Sequence, residues 1–407
     1  MVPSGVAGGG ARSGRVGRRR ARGSPKPRSR EDESLEGEGR ARATIRLDAL
    51  RANFAEARRR AGPREVIAVV KADAYGHGAV PVARALAAAG CRRLAVLCVA
   101  EAAALRDAGL AGEILVLGGV QDAAEAGAAH GLRLTPVVHH PGHLELLARA
   151  APPGAAPLPV HVEVDTGMRR MGVAEGEALA LLLALAAAPA LAVGGVFTHL
   201  ARADEADLAP SREQLARFRG VLEGARARGL APACVHAANS AALLADGLAA
   251  ALPEATAVRP GLLLYGAHPG PDPAVRLEPA MTLRARVVQV RRVARGEAVG
   301  YAARYRAPRP TRIATLGIGY ADGVPVAASG RGCVLWRDER LPIAGRVSMD
   351  YVGVDCGEAP VEIGDEAILF GVGPGSRLPV EEVAACAGTI SYELLVRVGA
   401  RVPREYL

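Results

Sequence analysis

The chain has 407 residues, half of them apolar and 23% charged, the composition of a packed globular protein of two or three domains rather than of a disordered or fibrous one. Its net charge of +9 is concentrated at one end: residues 1–40 hold ten basic and five acidic side chains, so the body is barely basic and nucleic acid is not an expected partner. The longest apolar stretch, Ala178 to Leu191, contains Pro189 and is shorter than the roughly 20 residues of a membrane span, so no membrane contact is expected either.

In chain order, residues 1–40 come first, rich in Gly, Ser, Pro and Arg with almost no apolar side chains. They read as a disordered basic tail. The run Arg18-Arg19-Arg20 lacks the apolar h-region that an export signal needs. The six cysteines form no CxxC pair, so neither a disulfide framework nor a Cys-based zinc site is expected, and a reducing cytoplasm is the expected compartment.

From residue 44 onward, eight short apolar runs alternate with stretches of helical spacing: Val66–Val70, Leu94–Val99, Ile114–Leu117, Leu134–Val138, Val160–Val164, Val193–Thr198, Cys234–Ala238 and Thr256–Arg259. Near-continuous hydrophobicity is the pattern of parallel strands covered on both faces. Val80–Ala89, Glu101–Ala108 and Arg212–Arg228 read as helices between them. The sum predicts an α/β fold, a TIM-type (β/α)8 barrel over residues 41–275, with a doubly wound open sheet as the competing reading. The Pro-rich stretch His268–Pro279 reads as a linker. After it come Leu283–Val293, Arg312–Ile318, Cys333–Trp336, Leu341–Met349 and Ala367–Phe370, strand-like segments of a mostly β domain over residues 276–407.

Barrel enzymes carry their chemistry just past the C-terminal ends of the strands. Past the first run stands Lys71, and only it and Lys26 of the 51 basic residues are lysine. A chain that uses arginine wherever charge alone will serve keeps lysine for chemistry a guanidinium cannot do, such as imine formation with a carbonyl. Past the fifth run come Asp165 and Arg170, past the sixth His199, past the seventh Asn239-Ser240, and the eighth carries Arg259-Pro-Gly261-Leu262. The last two loops are where barrels cradle phosphate, with Ser240, Gly261 and Leu262 as natural components. An imine-forming lysine and a phosphate cradle in one mouth specify pyridoxal phosphate. His77 reads as a satisfied turn residue. His139, His140 and His143 have ligand-like spacing but follow the fourth run next to Pro141 and Gly142 with no acidic partner expected among them, and no metal is expected.

Val69-Val70-Lys71-Ala-Asp73-Ala-Tyr75-Gly76-His77-Gly78, Asp165-Thr-Gly-Met, Phe197-Thr-His199, His236-Ala-Ala-Asn239-Ser240, Arg259-Pro-Gly261, Gly319-Tyr320-Ala-Asp322-Gly323, Gly345-Arg346-Val-Ser348-Met349-Asp350 and Thr389-Ile-Ser-Tyr392-Glu393, taken in order, resemble the motifs of the alanine racemase family over residues 41–407. The resemblance implies pyridoxal phosphate, a small amino-acid substrate, and a homodimer in which the partner's β domain completes each site. It implies Lys71 and Tyr301 as the two catalytic bases, which suits a reaction that removes a proton from one face and returns one to the other. A phenol near pKa ~10 needs tuning to act at neutral pH, and His199 and Arg259 are the implied supports, Arg259 also facing the pyridine nitrogen. Tyr75, Asn239, Ser240, Gly261, Leu262 and Tyr392 are implied around the cofactor, Arg170 at its phenolic oxygen, Met349 at the substrate carboxylate, and Tyr320 at the entrance. Where relatives often carry a carbamylated lysine this chain has Glu163, and Arg169 stands where glycine is common. The function implied is racemisation of alanine, which supplies D-alanine for peptidoglycan. A broad-specificity racemase, a related decarboxylase and a non-catalytic cofactor carrier are the alternatives.

Overall fold

The computed structural model describes residues 39–270 and 275–407, so the expected basic tail, but for its last two residues, and the middle of the expected linker lie outside the described residues. Strand β1 (Ala41–Ile45) leads into a helix over Leu47–Ala61, whose Leu50, Phe54, Ala57 and Ala61 form its buried face. Next come β2 (Glu65–Val69), β3 (Arg93–Val96), β4 (Glu113–Val116), β5 (Thr135–Val138), β6 (Leu158–Asp165), a two-residue β7 (Val173–Ala174), β8 (Leu191–Phe197), β9 (Cys234–His236) and β10 (Ala257–Val258). Strands β2 to β6 and β8 to β10 pair in parallel, and the ring closes through β5 with β6 and β10 with β2. The fold is the closed eight-stranded barrel, not the open sheet. Each expected run contains or overlaps its strand, because residues buried on both faces leave an apolar trace that is independent of register.

Helices Ala79–Ala88, Val99–Asp107, Ala123–Gly131, Pro141–Arg149, Glu175–Ala187, Ala209–Arg226 and the short Ser240–Leu244 cover the barrel. After β10 there is only a short 3-10 turn, Leu262–Tyr265. The helix Leu47–Ala61, which precedes the first barrel strand, packs against this turn and against Ala79–Ala88, and so occupies the remaining place in the outer ring. Buried Asn53 holds the join: its amide nitrogen donates to the carbonyls of Leu264, at 3.1 Å, and Glu278, at 2.8 Å, and its oxygen accepts from the Glu278 N–H at 2.9 Å.

The second sheet is built from β11 (Met281–Val293), β14 (Thr311–Leu316), β15 (Cys333–Trp336), β16 (Glu339–Pro342), β17 (Val352–Asp355), β18 (Glu366–Val372), β19 (Arg377–Leu378) and β20 (Arg404–Tyr406), with a separate small ribbon of β12 (Ala298–Val299) and β13 (Tyr305–Arg306). Although β1 is the first strand of the chain, it belongs to this sheet, between β11 and β20. Its register with β11, Ala43 opposite Leu283 and Ile45 opposite Met281, places apolar side chains on one shared face. The expected strand Leu341–Met349 is shorter than its hydrophobicity suggests: pairing with β15 ends at Pro342, Ile343 makes a single bridge to Val354, and the rest is a loop. Among the described residues no helix is long and apolar enough to cross a membrane.

Candidate active site

Lys71 follows β2 at the barrel mouth, where the chain makes an unusual turn. Ala72, Asp73, Ala74 and Tyr75 all have φ of 53–54°, a left-handed turn made of residues that are not glycine. Each such residue costs roughly 1–2 kcal/mol, so the turn persists only because its surroundings fix it. Glu101 does so from one side, its two oxygens accepting from the N–H groups of Ala72 and Leu97, each at 2.7 Å. On the other, Asp73 accepts from Ala79 N–H at 2.6 Å. His77 donates from Nδ1 to the carbonyls of Ala74, at 3.0 Å, and Tyr75, at 2.9 Å. Tyr75 stacks on Tyr265 with centroids 4.7 Å apart, and the Tyr265 hydroxyl donates to Val69 O at 2.9 Å. Burial lowers the proton affinity of Lys71 below that of an ordinary lysine, with Arg170 adding to the effect and Glu101 opposing it.

Lys71 opens into a cavity of about 890 Å³. Tyr75, Arg170, His199, Asn239, Ser240, Arg259, Gly261, Leu262 and Tyr392 all line it, which is every residue expected around the cofactor. Ser240 Oγ accepts from the N–H groups of Gly261, at 2.9 Å, and Leu263, at 3.2 Å, tying the loops after β9 and β10 together. Asn239 lines the cavity while its side chain is occupied locally, accepting from Ala242 N–H at 3.0 Å. Tyr392 comes from a helix over Ser391–Arg397 in the second domain, its ring 6.0 Å from that of Tyr75, and burial pushes its hydroxyl up to about 12.

Arg259 is fully enclosed. It donates to Thr198 O at 3.0 Å, to His199 Nδ1 at 3.3 Å and to His236 Nδ1 at 2.5 Å. Burial lowers its pKa to about 10, partly offset by Glu163, and it remains a cation at neutral pH. Burial and this guanidinium together push His199 down to about 3, so its ring is neutral. His139 does meet an acid, contrary to its sequence surroundings: Glu163 on the adjacent strand lies 3.2 Å from its Nδ1. Arg169 takes φ 57°, a left-handed conformation that glycine adopts at no steric cost.

Three expected residues stand apart. Tyr301, Tyr320 and Met349 do not line this cavity, and they are 67%, 45% and 53% exposed. Tyr320 and Met349 are neighbours, since Tyr320 N–H donates to Ser348 O at 3.0 Å and Ala321 N–H to Met349 O at 3.1 Å. Around the mouth itself Leu97, Met171, Ile390 and Val396 are also exposed. Sequence reasoning passed over Glu101, whose position as third residue of the helix Val99–Asp107 carries no signal until the turn at Lys71 is seen beside it.

A closed parallel barrel with a desolvated lysine lining a cavity at its mouth, continued into a mostly β domain, defines a two-domain α/β-barrel protein with a pocket of the enzyme type. The chain belongs to the alanine racemase family: residues 45–269 match the alanine racemase N-terminal domain and residues 280–406 the C-terminal domain. It is 43% identical over 373 residues to the alanine racemase of Desulforamulus reducens, covering 90% of this chain and 98% of that one. The alanine racemase of the D-cycloserine producer Streptomyces lavendulae superposes with a TM-score of 0.85 at 38% identity, covering 91% of this chain and 98% of that one. The alanine racemase of Bartonella henselae with covalently bound pyridoxal phosphate gives 0.81 at 32% identity, covering 91% and 100%.

Proposed function

We propose that this chain is a pyridoxal-phosphate-dependent alanine racemase working by two bases, Lys71 and Tyr301, as a homodimer in the cytoplasm, where it supplies D-alanine for peptidoglycan. The observation that carries the reading is the meeting of a desolvated lysine with a Ser240, Gly261 and Leu262 cradle in one cavity. Those residues fit the cofactor chemically. Gly261 leaves room beside the Tyr75 hydroxyl, and Tyr75 and Tyr392 bring phenols to the same end of the cavity. Bound there, pyridoxal phosphate supplies the carbonyl that condenses with an amino acid and the conjugated ring that withdraws electrons from its α-carbon.

The chain's own residues do the rest. The neutral amine of Lys71 takes the α-proton from one face and the partner subunit's Tyr301 returns one on the other, or the reverse, so no electrons are gained or lost overall. Arg259 does not surrender its proton. With the cofactor bound, Arg259 would face its pyridine nitrogen and would leave that nitrogen unprotonated, keeping electron withdrawal modest and favouring reprotonation over decarboxylation or transamination. Arg170 would reach the bound cofactor's phenolic oxygen, and the N–H of the partner subunit's Met349 would hold the substrate carboxylate. The exposure of Tyr301, Tyr320 and Met349 on the β domain, and of Leu97, Met171, Ile390 and Val396 at the barrel mouth, supports the dimer.

Incubating the protein with pyridoxal phosphate and L-alanine in deuterated water, then resolving the product by chiral chromatography with mass detection, tests this reading. Deuterated D-alanine is expected. Unlabelled L-alanine from protein that holds its cofactor would reject it, and faster turnover of lysine or serine would replace alanine as the substrate.

A further inference from the structure

Beneath Arg259, inside the barrel, lie His161, Cys234 and His236, with ligand-type atoms within 4.8 Å of one another. Two guanidinium groups already hold this trio. Arg259 Nη1 is 2.5 Å from His236 Nδ1, and Arg93 Nη1 is 3.0 Å from Cys234 Sγ. A metal ion would be a third cation among them, in an interior where like charges repel strongly. The group is a hydrogen-bond chain instead, and counting its hydrogens fixes its direction.

Arginine has donors and no acceptor, so His236 Nδ1 accepts from Arg259. The ring proton of His236 is therefore on Nε2, which donates to His161 Nδ1 at 2.9 Å. That leaves the proton of His161 on its Nε2, pointing toward Glu113 Oε1 at 3.7 Å. Both rings are neutral, and burial with the nearby arginines drives both pKa values down, His161 to about 3. At the far end Arg93 Nε lies 3.1 Å from Glu113 and 3.2 Å from Glu65, at the N-terminal ends of β2, β3 and β4. The hydrogen bonds run from Arg259 to His161, and an electrostatic contact at 3.7 Å, too long for a hydrogen bond, extends the path to Glu113 at the base of the barrel.

The strand register builds this path deliberately. His161, Gly195 and Cys234 form one row across β6, β8 and β9, and Glu163, Phe197 and His236 form the next row toward the mouth. A β-carbon on Gly195 would stand 2.6 Å from His161 Cε1, so only glycine admits the ring. Phe197 stacks on His236 with centroids 4.6 Å apart and also lies 4.4 Å from the Arg259 guanidinium carbon.

We propose that Glu113 and His161 are positioning residues for the reaction: through His236 they hold the donor chain in one direction and fix the guanidinium of Arg259 that faces the cofactor. The proposal rests on the reading of Arg259 given above. Glu113, at the opposite end of the barrel from the chemistry, then governs how that guanidinium meets its partner. Outer-shell partners of metal ligands typically change activity ~10–100-fold, and Glu113, three links beyond Arg259, belongs at the low end of that range.

Neutron diffraction from deuterium-exchanged crystals of the unaltered protein reads the chain directly. Deuterons on Nε2 of both His161 and His236, with Nδ1 of each bare, are expected, and a deuteron on either Nδ1 overturns the direction. The variant Glu113→Gln keeps the volume and an acceptor oxygen while removing the charge. Its kcat for L-alanine should fall about tenfold with KM within about twofold, and the visible maximum of its bound pyridoxal phosphate should move. A purely structural Glu113 would lower thermal stability and leave kcat and spectrum unchanged, which would refute the positioning role. Deuterons placed as expected in a protein that racemises no amino acid would overturn the racemase reading, and with it the chain's part in the reaction, while the chain itself stood.

Discussion

The hydroxyl of Tyr75 lies 2.4 Å from the point that a β-carbon on Gly261 would occupy. The phenol can move aside only by giving up its stack on Tyr265 or straining its left-handed backbone turn. Gly261→Ala is therefore expected to dislodge the phenol from the cradle. Loss of one hydrogen bond to a charged group, roughly 1.5–3 kcal/mol, corresponds to a tenfold or greater loss of affinity. Fluorescence titration of the apoprotein with pyridoxal phosphate measures it. Undiminished affinity would remove Tyr75 from the phosphate site.

Lys71 should show its burial in its pH dependence. With its pKa lowered from 10.5, the neutral amine appears at lower pH than on a free lysine. Capture of pyridoxal phosphate by the apoprotein, followed by visible absorbance, should reach its midpoint below pH 10.5, and Lys71→Ala should lose that absorbance. The same shift affects stability. Between the lowered pKa and the ordinary one the unfolded chain binds more protons, so this group makes stability rise with pH across that window. A midpoint at or above the ordinary value would contradict the desolvation of Lys71.

Tyr301→Phe should separate binding from turnover. The side chain lines no part of its own subunit's cavity, so the variant should retain bound cofactor with an unchanged spectrum. Loss of a general base typically costs ~10²–10⁴-fold in rate. Activity of the unaltered enzyme should also fall on dilution as dimers dissociate, which sedimentation velocity can follow in parallel. A fully active monomer would sink the shared site.

The barrel was legible in the sequence because runs such as Ile114–Leu117 and Val160–Val164 are buried on both faces, so their hydrophobicity needs no register to be seen. Lys71 was legible by composition, and the cradle by the position of Ser240 and Gly261 after the last two runs. The left-handed turn was not, since Ala72 and Ala74 carry no mark of positive φ and their support comes from Glu101, 29 residues from Ala72. Strand β1 escaped notice because it pairs with β11, more than 200 residues away in the chain. The chain from Arg259 to Glu113 depends on which residues of β4, β6 and β9 point inward together, a fact of register that no single run displays.

Acid should destabilise this protein through its buried histidines. Burial lowers His77 to about 4 and both His161 and His199 to about 3, and it takes His236 well below its ordinary 6.5. In His77 the Nδ1 proton serves two carbonyls and Nε2 is buried with no partner among the described residues, so a second proton would have no acceptor among them. Between pH 6.5 and these lowered values the unfolded chain binds more protons than the folded one. The sign follows: this stability is fully present above the ordinary histidine pKa and is lost as pH falls below it. Urea unfolding at intervals from pH 8 to pH 4 should show a free energy that is level above about pH 7 and declines below it with a slope exceeding one proton. His77→Asn, which can still donate toward the carbonyls of the turn but does not titrate, should make that decline shallower. An unfolding free energy that stays level down to pH 4 would show that these rings accept protons in the folded state as readily as in the unfolded one, and would remove the desolvated histidines from the account of the barrel core.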